Sequence, residues 1–239
     1  MPPPPPKLTA CDNVQALTFD LFGTILDLGG SLTPFIAEFL REKKSSVSPA
    51  DVWAQWRYRQ RIEQYQDNIV AMGHSGYLEV ARRAGVYVLR QFRIEPAPDE
   101  MRKLMQAWQH LKPFDDVVPA LQRLKNRYKL VALSNGERTY LDHLVKNQIK
   151  WAFDAVISVE EVGAFKPHPG VYRHGAAAIG LEVGQCMMVS ANSFDVMGAR
   201  MCGMRGAYVD RYALPYEDTP FVADLTVSDF TGLARELQG

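Results

Sequence analysis

The chain has 239 residues, of which 47% are hydrophobic and 23% charged, the balance of a folded globular protein and not of a disordered one. Lys plus Arg and Asp plus Glu both number 27, a formal net charge of zero, so there is no electrostatic footprint for nucleic acid or an anionic membrane. No apolar run reaches the roughly 18–20 residues of a bilayer-spanning helix; the cysteines Cys11, Cys186 and Cys202 are too sparse for a disulfide framework, and no Cys or His pair has zinc-site spacing.

Residues 1–12 open with Met1 and five prolines, a composition that favours polyproline II and reads as a disordered tail. No secretory signal is visible, and a reducing cytoplasm is expected. Val14–Phe19 then reads as a buried strand running into Asp20. From about Leu28 to about Pro113 the pattern turns helical. Ser48-Pro49-Ala50-Asp51 has the order of a helix start, with Ser as N-cap, Pro at N1 and a carboxylate at N3. Asp51–Tyr65, Arg82–Phe92 and Asp99–His110 read as helices.

Strands resume at Lys129–Leu133, Ala155–Ile157, Met187–Val189, Ala207–Val209 and Leu225–Val227, with Cys186 as a buried small hydrophobe at the head of one of them. Between and after them, Val117–Arg127, Arg138–Lys146, Val171–Ile179, Asp195–Met204 and Phe230–Leu237 read as helices. This alternation predicts an α/β fold: a Rossmann-like parallel-sheet core over 13–27 and 114–239, with a helical cap, 28–113, inserted after the first strand.

In an open parallel sheet ligands bind outside the carboxyl ends of the strands, and the polar residues fall there. Asp20 ends an apolar strand, where a carboxylate is costly unless paired or used, and Gly23 allows a turn that aims the amides of Leu21 and Phe22 inward. Lys166, in Gly163-Ala164-Phe165-Lys166-Pro167, would keep Asp20 ionised. Ser134-Asn135-Gly136 offers a hydroxyl and an amide suited to an anionic substrate group, and Ser190, Asn192 and Asp195 repeat the arrangement. Each has a bland alternative: Asp20 as a turn cap, Lys166 as a solvated surface lysine, Ser134 and Asn135 as turn residues, Asp195 as a helix N-terminal carboxylate. Within Trp53–Gln60 the aromatics read as helix-packing residues, and either Arg57 or Arg59 would reach over the core.

Together these residues resemble the haloacid dehalogenase superfamily, and within it the L-2-haloacid dehalogenase (type II) group, from about Val14 to the final helix. The signature is the nucleophile Asp20 in Asp20-Leu21-Phe22-Gly23-Thr24, Ser134 on a second strand, Lys166, and a fourth motif ending in Asp195. Phosphatases of this superfamily carry a second aspartate where Phe22 stands, to protonate a leaving oxygen; a halide leaves without a proton. They also place acids in the fourth motif to hold Mg²⁺, where this chain has Ser190-Ala191-Asn192.

The resemblance further implies that Thr24 is the threonine near the nucleophile and that Arg57, Asn135 and Phe194 receive the halide. Ser134 with the amides of Leu21 and Phe22 would bind the substrate carboxylate, Tyr172 would be the catalytic tyrosine of the lysine motif, and Ser190, Asn192 and Asp195 would position the lysine and the hydrolytic water. Arg61 stands where an apolar pocket residue is expected, and Gly73–Tyr77 has no clear register. The implied activity is hydrolysis of a small (S)-2-haloacid to the (R)-2-hydroxyacid through an aspartyl ester. Substrate and water are its partners, a homodimer its assembly, and no cofactor or metal its requirement. The rivals are a phosphatase or phosphotransferase of the same superfamily and a non-catalytic binder of small carboxylates.

Overall fold

The computed structural model describes residues 13–70 and 73–238; the proline-rich tail expected over 1–12 lies outside them. The chain enters on β1 (Ala16–Phe19), turns through β2 (Leu26–Asp27) and continues into α1 (Leu28–Glu42), α2 (Pro49–Ile69), α3 (Tyr77–Gln91) and α4 (Pro98–Gln106). It returns through β3 (Lys112–Pro113) to α5 (Val117–Leu124), β4 (Lys129–Ser134), α6 (Arg138–Leu144), β5 (Ala155–Ser158) and α7 (Pro169–Ala178). β6 (Cys186–Ser190), α8 (Ser193–Met201), β7 (Arg205–Val209), β8 (Leu225–Val227) and α9 (Phe230–Gln238) complete it.

Six strands form one parallel sheet in the order β5-β4-β1-β6-β7-β8. β1 and β6 are buried throughout and β4 everywhere except Lys129. Helices cover both faces of such a sheet, and this is why its strands are continuous apolar runs without alternation. The expected α/β fold is the observed one, with each expected strand in place.

The helices between β2 and β3 have an apolar core of their own, built around Ile36, Phe39, Trp56, Val88, Leu89 and Leu104. β2 and β3 pair antiparallel, Leu26 with Pro113 and Asp27 with Lys112, so the insert leaves and rejoins the sheet region at one place. Each of these strands is only two residues long, too short to show a period in sequence.

Some helix limits differ from the reading. Ser48 caps α2 as expected, its Oγ accepting from the Asp51 N–H at 3.4 Å, but the helix runs on past Tyr65 to Ile69. α3 begins at Tyr77 and not Arg82, after Gly76 at φ +94° with no side-chain cap, so no capping residue marks the start. The stretch Asp99–His110 divides into α4 and a 3₁₀ turn, Ala107–His110, and α6 gives way at Val145 to a wider π turn.

Candidate active site

Phe19 is level with Ala132 on β4 and Val189 on β6, so Asp20, Ser134-Asn135 and Ser190-Ala191-Asn192 gather at one edge of the sheet. Asp20 is 5% exposed. Its Oδ2 accepts from Thr24 Oγ1 and from Asn192 Nδ2, both at 2.9 Å. Gly23, at φ +88°, reverses the chain beyond it, a conformation that glycine adopts freely. The amides of Thr24, Ile25 and Leu26 all donate to the Leu21 carbonyl. That carbonyl closes the turn, so Asp20 is not its cap, and the N–H groups of Leu21 and Phe22 take no part in it.

Three residues brace this carboxylate from behind. Thr24 Oγ1 also accepts from the Ala191 N–H at 2.8 Å and lies 3.4 Å from Ser190 Oγ. Ser190 Oγ in turn accepts from the Asn192 N–H at 3.1 Å, which fixes the loop that presents the Asn192 amide.

Lys166 is 1% exposed, so it is not a surface lysine. Its Nζ lies 2.9 Å from Asp195 Oδ2 and 3.5 Å from Asp20 Oδ1, an ammonium between two carboxylates. Asp195 stands in the first turn of α8, but its oxygens are engaged elsewhere, Oδ1 accepting from Tyr172 Oη at 2.8 Å. Burial raises the Asp195 carboxyl above its ordinary value; Lys166 pulls it down and Asp20 pushes it up. Burial and Asp195 hold the Tyr172 phenol well above its ordinary value, so it remains a donor at neutral pH. Tyr172 meets the site through Asp195.

In front of Asp20 lies a small, tight chamber, lined on the sheet side by Asp20, Phe22, Asn135, Lys166, Asn192, Phe194 and Asp195. Asn135 Oδ1 accepts from the Lys166 N–H at 2.9 Å, which leaves its Nδ2 as a donor. Ser134 is fully buried at the tip of β4, its Oγ without a partner. The Phe22 ring stacks on Tyr77 at 3.9 Å and Tyr140 at 5.9 Å, an apolar setting with no place for an acid.

The insert supplies the facing wall through Arg57, Gln64 and Tyr77. Arg57 donates to the Phe22 carbonyl at 3.2 Å and to Asn192 Oδ1 at 3.4 Å. Arg59 pairs with Glu63 and lies over the Tyr87 ring, so of the two candidates Arg57 is the one at the chamber. Asn68, near the end of α2, exchanges hydrogen bonds with both the N–H and the carbonyl of Phe165, each at 2.8 Å. His74 Nε2 is 2.7 Å from the Asn135 carbonyl. These contacts fix the insert against the loop that carries Lys166.

Sequence reasoning missed Gln64 and Tyr77. Both carry a buried polar atom without a partner, Gln64 Nε2 and Tyr77 Oη, and burial pushes the Tyr77 phenol well above its ordinary value. A signal was present: the buried stripe of α2 runs Val52, Trp56, Gln60, Gln64, Asp67, helical spacing on which the residue type turns from apolar to polar as it crosses the site. Among the described residues, no cluster of three or more His, Cys, Asp or Glu is arranged to hold a metal ion.

The sequence model of the haloacid dehalogenase-like hydrolases matches residues 14–203. The chain is 32% identical over 200 residues to an (S)-2-haloacid dehalogenase of Xanthobacter autotrophicus, covering 83% of this chain and 76% of that protein. It is 29% identical over 216 residues to haloacetate dehalogenase H-2 of Moraxella sp. strain B, covering 90% and 93%. The fold is similar to a crystal structure of L-2-haloacid dehalogenase from Xanthobacter autotrophicus with chloropropionic acid covalently bound. That likeness has a TM-score of 0.81 and 26% identity, and covers 95% of this chain and 99% of the other.

Proposed function

The chain belongs to the haloacid dehalogenase-like hydrolase family, and from that premise we propose that it hydrolyses small (S)-2-haloacids to (R)-2-hydroxyacids through an ester on Asp20, without a metal. The observation that carries this reading is the state of Asp20. Its Oδ2 is held by Thr24 and Asn192, while Oδ1 has only the Lys166 ammonium at 3.5 Å and keeps lone pairs for attack. The aromatic stack of Phe22 stands where a phosphatase would need an acid.

Asp20 Oδ1 attacks C2 in line, the carbon–halogen bond breaks, and the halide leaves with its electron pair toward Arg57, Asn135 and Phe194. Ser134 and the N–H groups of Leu21 and Phe22 hold the substrate carboxylate. Asp195 takes a proton from water, which attacks the ester carbonyl of Asp20; the leaving alkoxide takes that proton from Asp195 and departs as the hydroxyacid with an Asp20 oxygen, while the water oxygen stays in the carboxylate and its second proton passes to solvent. C2 is inverted once. The positive charge between Asp20 and Asp195 is supplied by Lys166, and this supports metal independence. Residues 28–113 act as a cap over the catalytic core of 13–27 and 114–239. A homodimer is part of the reading, as is a reducing cytoplasm, which the free thiols of Cys186 and Cys202 support.

The test is halide release from chloroacetate, 2-chloropropionate and fluoroacetate, with and without a chelator, beside hydrolysis of a generic phosphate ester. Halide release that survives the chelator, with no phosphate release, is expected. Phosphate release restored by Mg²⁺ would revive the phosphatase reading, and binding of 2-chloropropionate without turnover would leave a carboxylate binder.

A further inference from the structure

Arg61 follows Arg57 by one helical turn on α2, and both donate to the same acceptor, Asn192 Oδ1, at 3.2 and 3.4 Å. Two guanidinium groups this close repel each other unless an anion lies between them. Among the insert's other arginines, Arg59 pairs with Glu63, Arg82 with Glu79, Arg83 with Asp67 and Arg90 with Glu95, and Arg93, without a carboxylate, is exposed to solvent. Among the described residues, neither Arg57 nor Arg61 has one.

Arg61 is also costly where it stands. Its Nε is buried without a partner, and burial together with the Arg57 charge pushes its pKa down to about 10, so it is still a cation at neutral pH. Its guanidinium lies 5.6 Å from the centre of the Phe194 ring, so it touches two residues of the chamber wall. Its other side borders an open cleft of about 300 Å³, which Arg57, Tyr58, Asn192 and Tyr212 also line and, among the described residues, no carboxylate does. A small monocarboxylate, with its carboxylate at Ser134 and its halide at Arg57, leaves Arg61 unmatched.

We propose that Arg61, with Arg57 and Asn192, forms a second anion subsite at the junction of chamber and cleft, and that the preferred substrate is a short 2-halo dicarboxylate whose far carboxylate binds there. This deepens the proposed function and rests on it: the far carboxylate neutralises the arginine pair and extends toward the cleft while C2 stays before Asp20. An apolar residue at this position would serve an uncharged chain; an arginine selects a charged one.

The experiment compares kcat/KM for 2-chlorosuccinate and 2-chloropropionate in the parent enzyme, Arg61→Leu and Arg61→Lys, and measures bromide inhibition of each. The parent should favour 2-chlorosuccinate. Arg61→Leu should lower the ratio of the two values about tenfold or more, chiefly through KM, the effect of one charge-assisted hydrogen bond, and Arg61→Lys should recover part of it. A ratio unchanged by Arg61→Leu would overturn the proposal. A parent that uses 2-chloropropionate and not 2-chlorosuccinate would do the same. Weaker bromide inhibition with no change in the ratio would make Arg61 a halide site instead. Because the readout is a ratio within each variant, partial misfolding cancels, and Arg61→Gln repeats the measurement if the leucine variant does not fold. Halide release from neither substrate would instead remove the proposed function itself.

Discussion

On the sheet side of the chamber Lys166 stands between Asp20 and Asp195, and Thr24, Asn192 and Tyr172 take up the remaining carboxylate oxygens they can reach. On the insert side Gln64 Nε2 and Tyr77 Oη are buried without partners, and Arg57 has only carbonyl and amide oxygens around it. On the sheet side the charged groups are matched before any ligand arrives, as preorganised chemistry requires, and Ser134 Oγ is the polar atom left without a partner there among the described residues. The insert wall presents donors, Arg57, Gln64 and Tyr77, to the chamber. In the proposed mechanism one wall makes and breaks bonds, and the other recognises charge, first on the substrate and then on the leaving halide.

Breaking the sheet wall should have the largest effect. Lys166→Met leaves two buried carboxylates facing each other without a cation, and unfolding free energy should fall by about 3–5 kcal/mol, as for a broken buried ion pair. Denaturant titration at neutral pH measures it; a change below about 1 kcal/mol would mean that the three groups are not coupled.

Arg57→Ala should separate the walls. No buried charge loses its partner, so stability should change by less than about 1 kcal/mol, whereas kcat for halide release should fall about 10²-fold or more, the effect of deleting a preorganised donor. Near-normal kcat would show that Arg57 does not stabilise the leaving halide.

The smallest effect tests the position of Asp195. Its raised carboxyl must be ionised to act as a base, so kcat should fall with decreasing pH through a value above the ordinary carboxylate range of about 4. The Tyr172 hydroxyl favours the ionised form, so in Tyr172→Phe that acid limb should move to still higher pH. A limb that stays in place or moves down in the pH–kcat profile would show that Asp195 is not the base.

The two walls were not equally legible in the sequence. Buried parallel strands are unbroken apolar runs, and a polar residue at the end of such a run marks its own position; Asp20, Ser134 and Ser190 could be read in this way and lie at the sheet edge. What the insert presents depends on how α2 lies across the sheet, which no local pattern encodes. Arg57 and Arg59 are equivalent in sequence until Glu63 and Tyr87 draw Arg59 aside. Tyr77 was lost because α3 opens at a glycine without a capping side chain. Gln60 and Gln64 carry a usable signal, amides that continue at helical spacing the buried stripe begun by Val52 and Trp56.

The central claim is that Asp20 is a nucleophile and not a general base, and a single turnover in ¹⁸O-water with enzyme in excess tests it most directly. The account predicts an unlabelled hydroxyl in the first hydroxyacid released and one ¹⁸O in the peptide that contains Asp20, read by mass spectrometry. A labelled hydroxyl with an unlabelled Asp20 peptide would contradict it, even if halide is released.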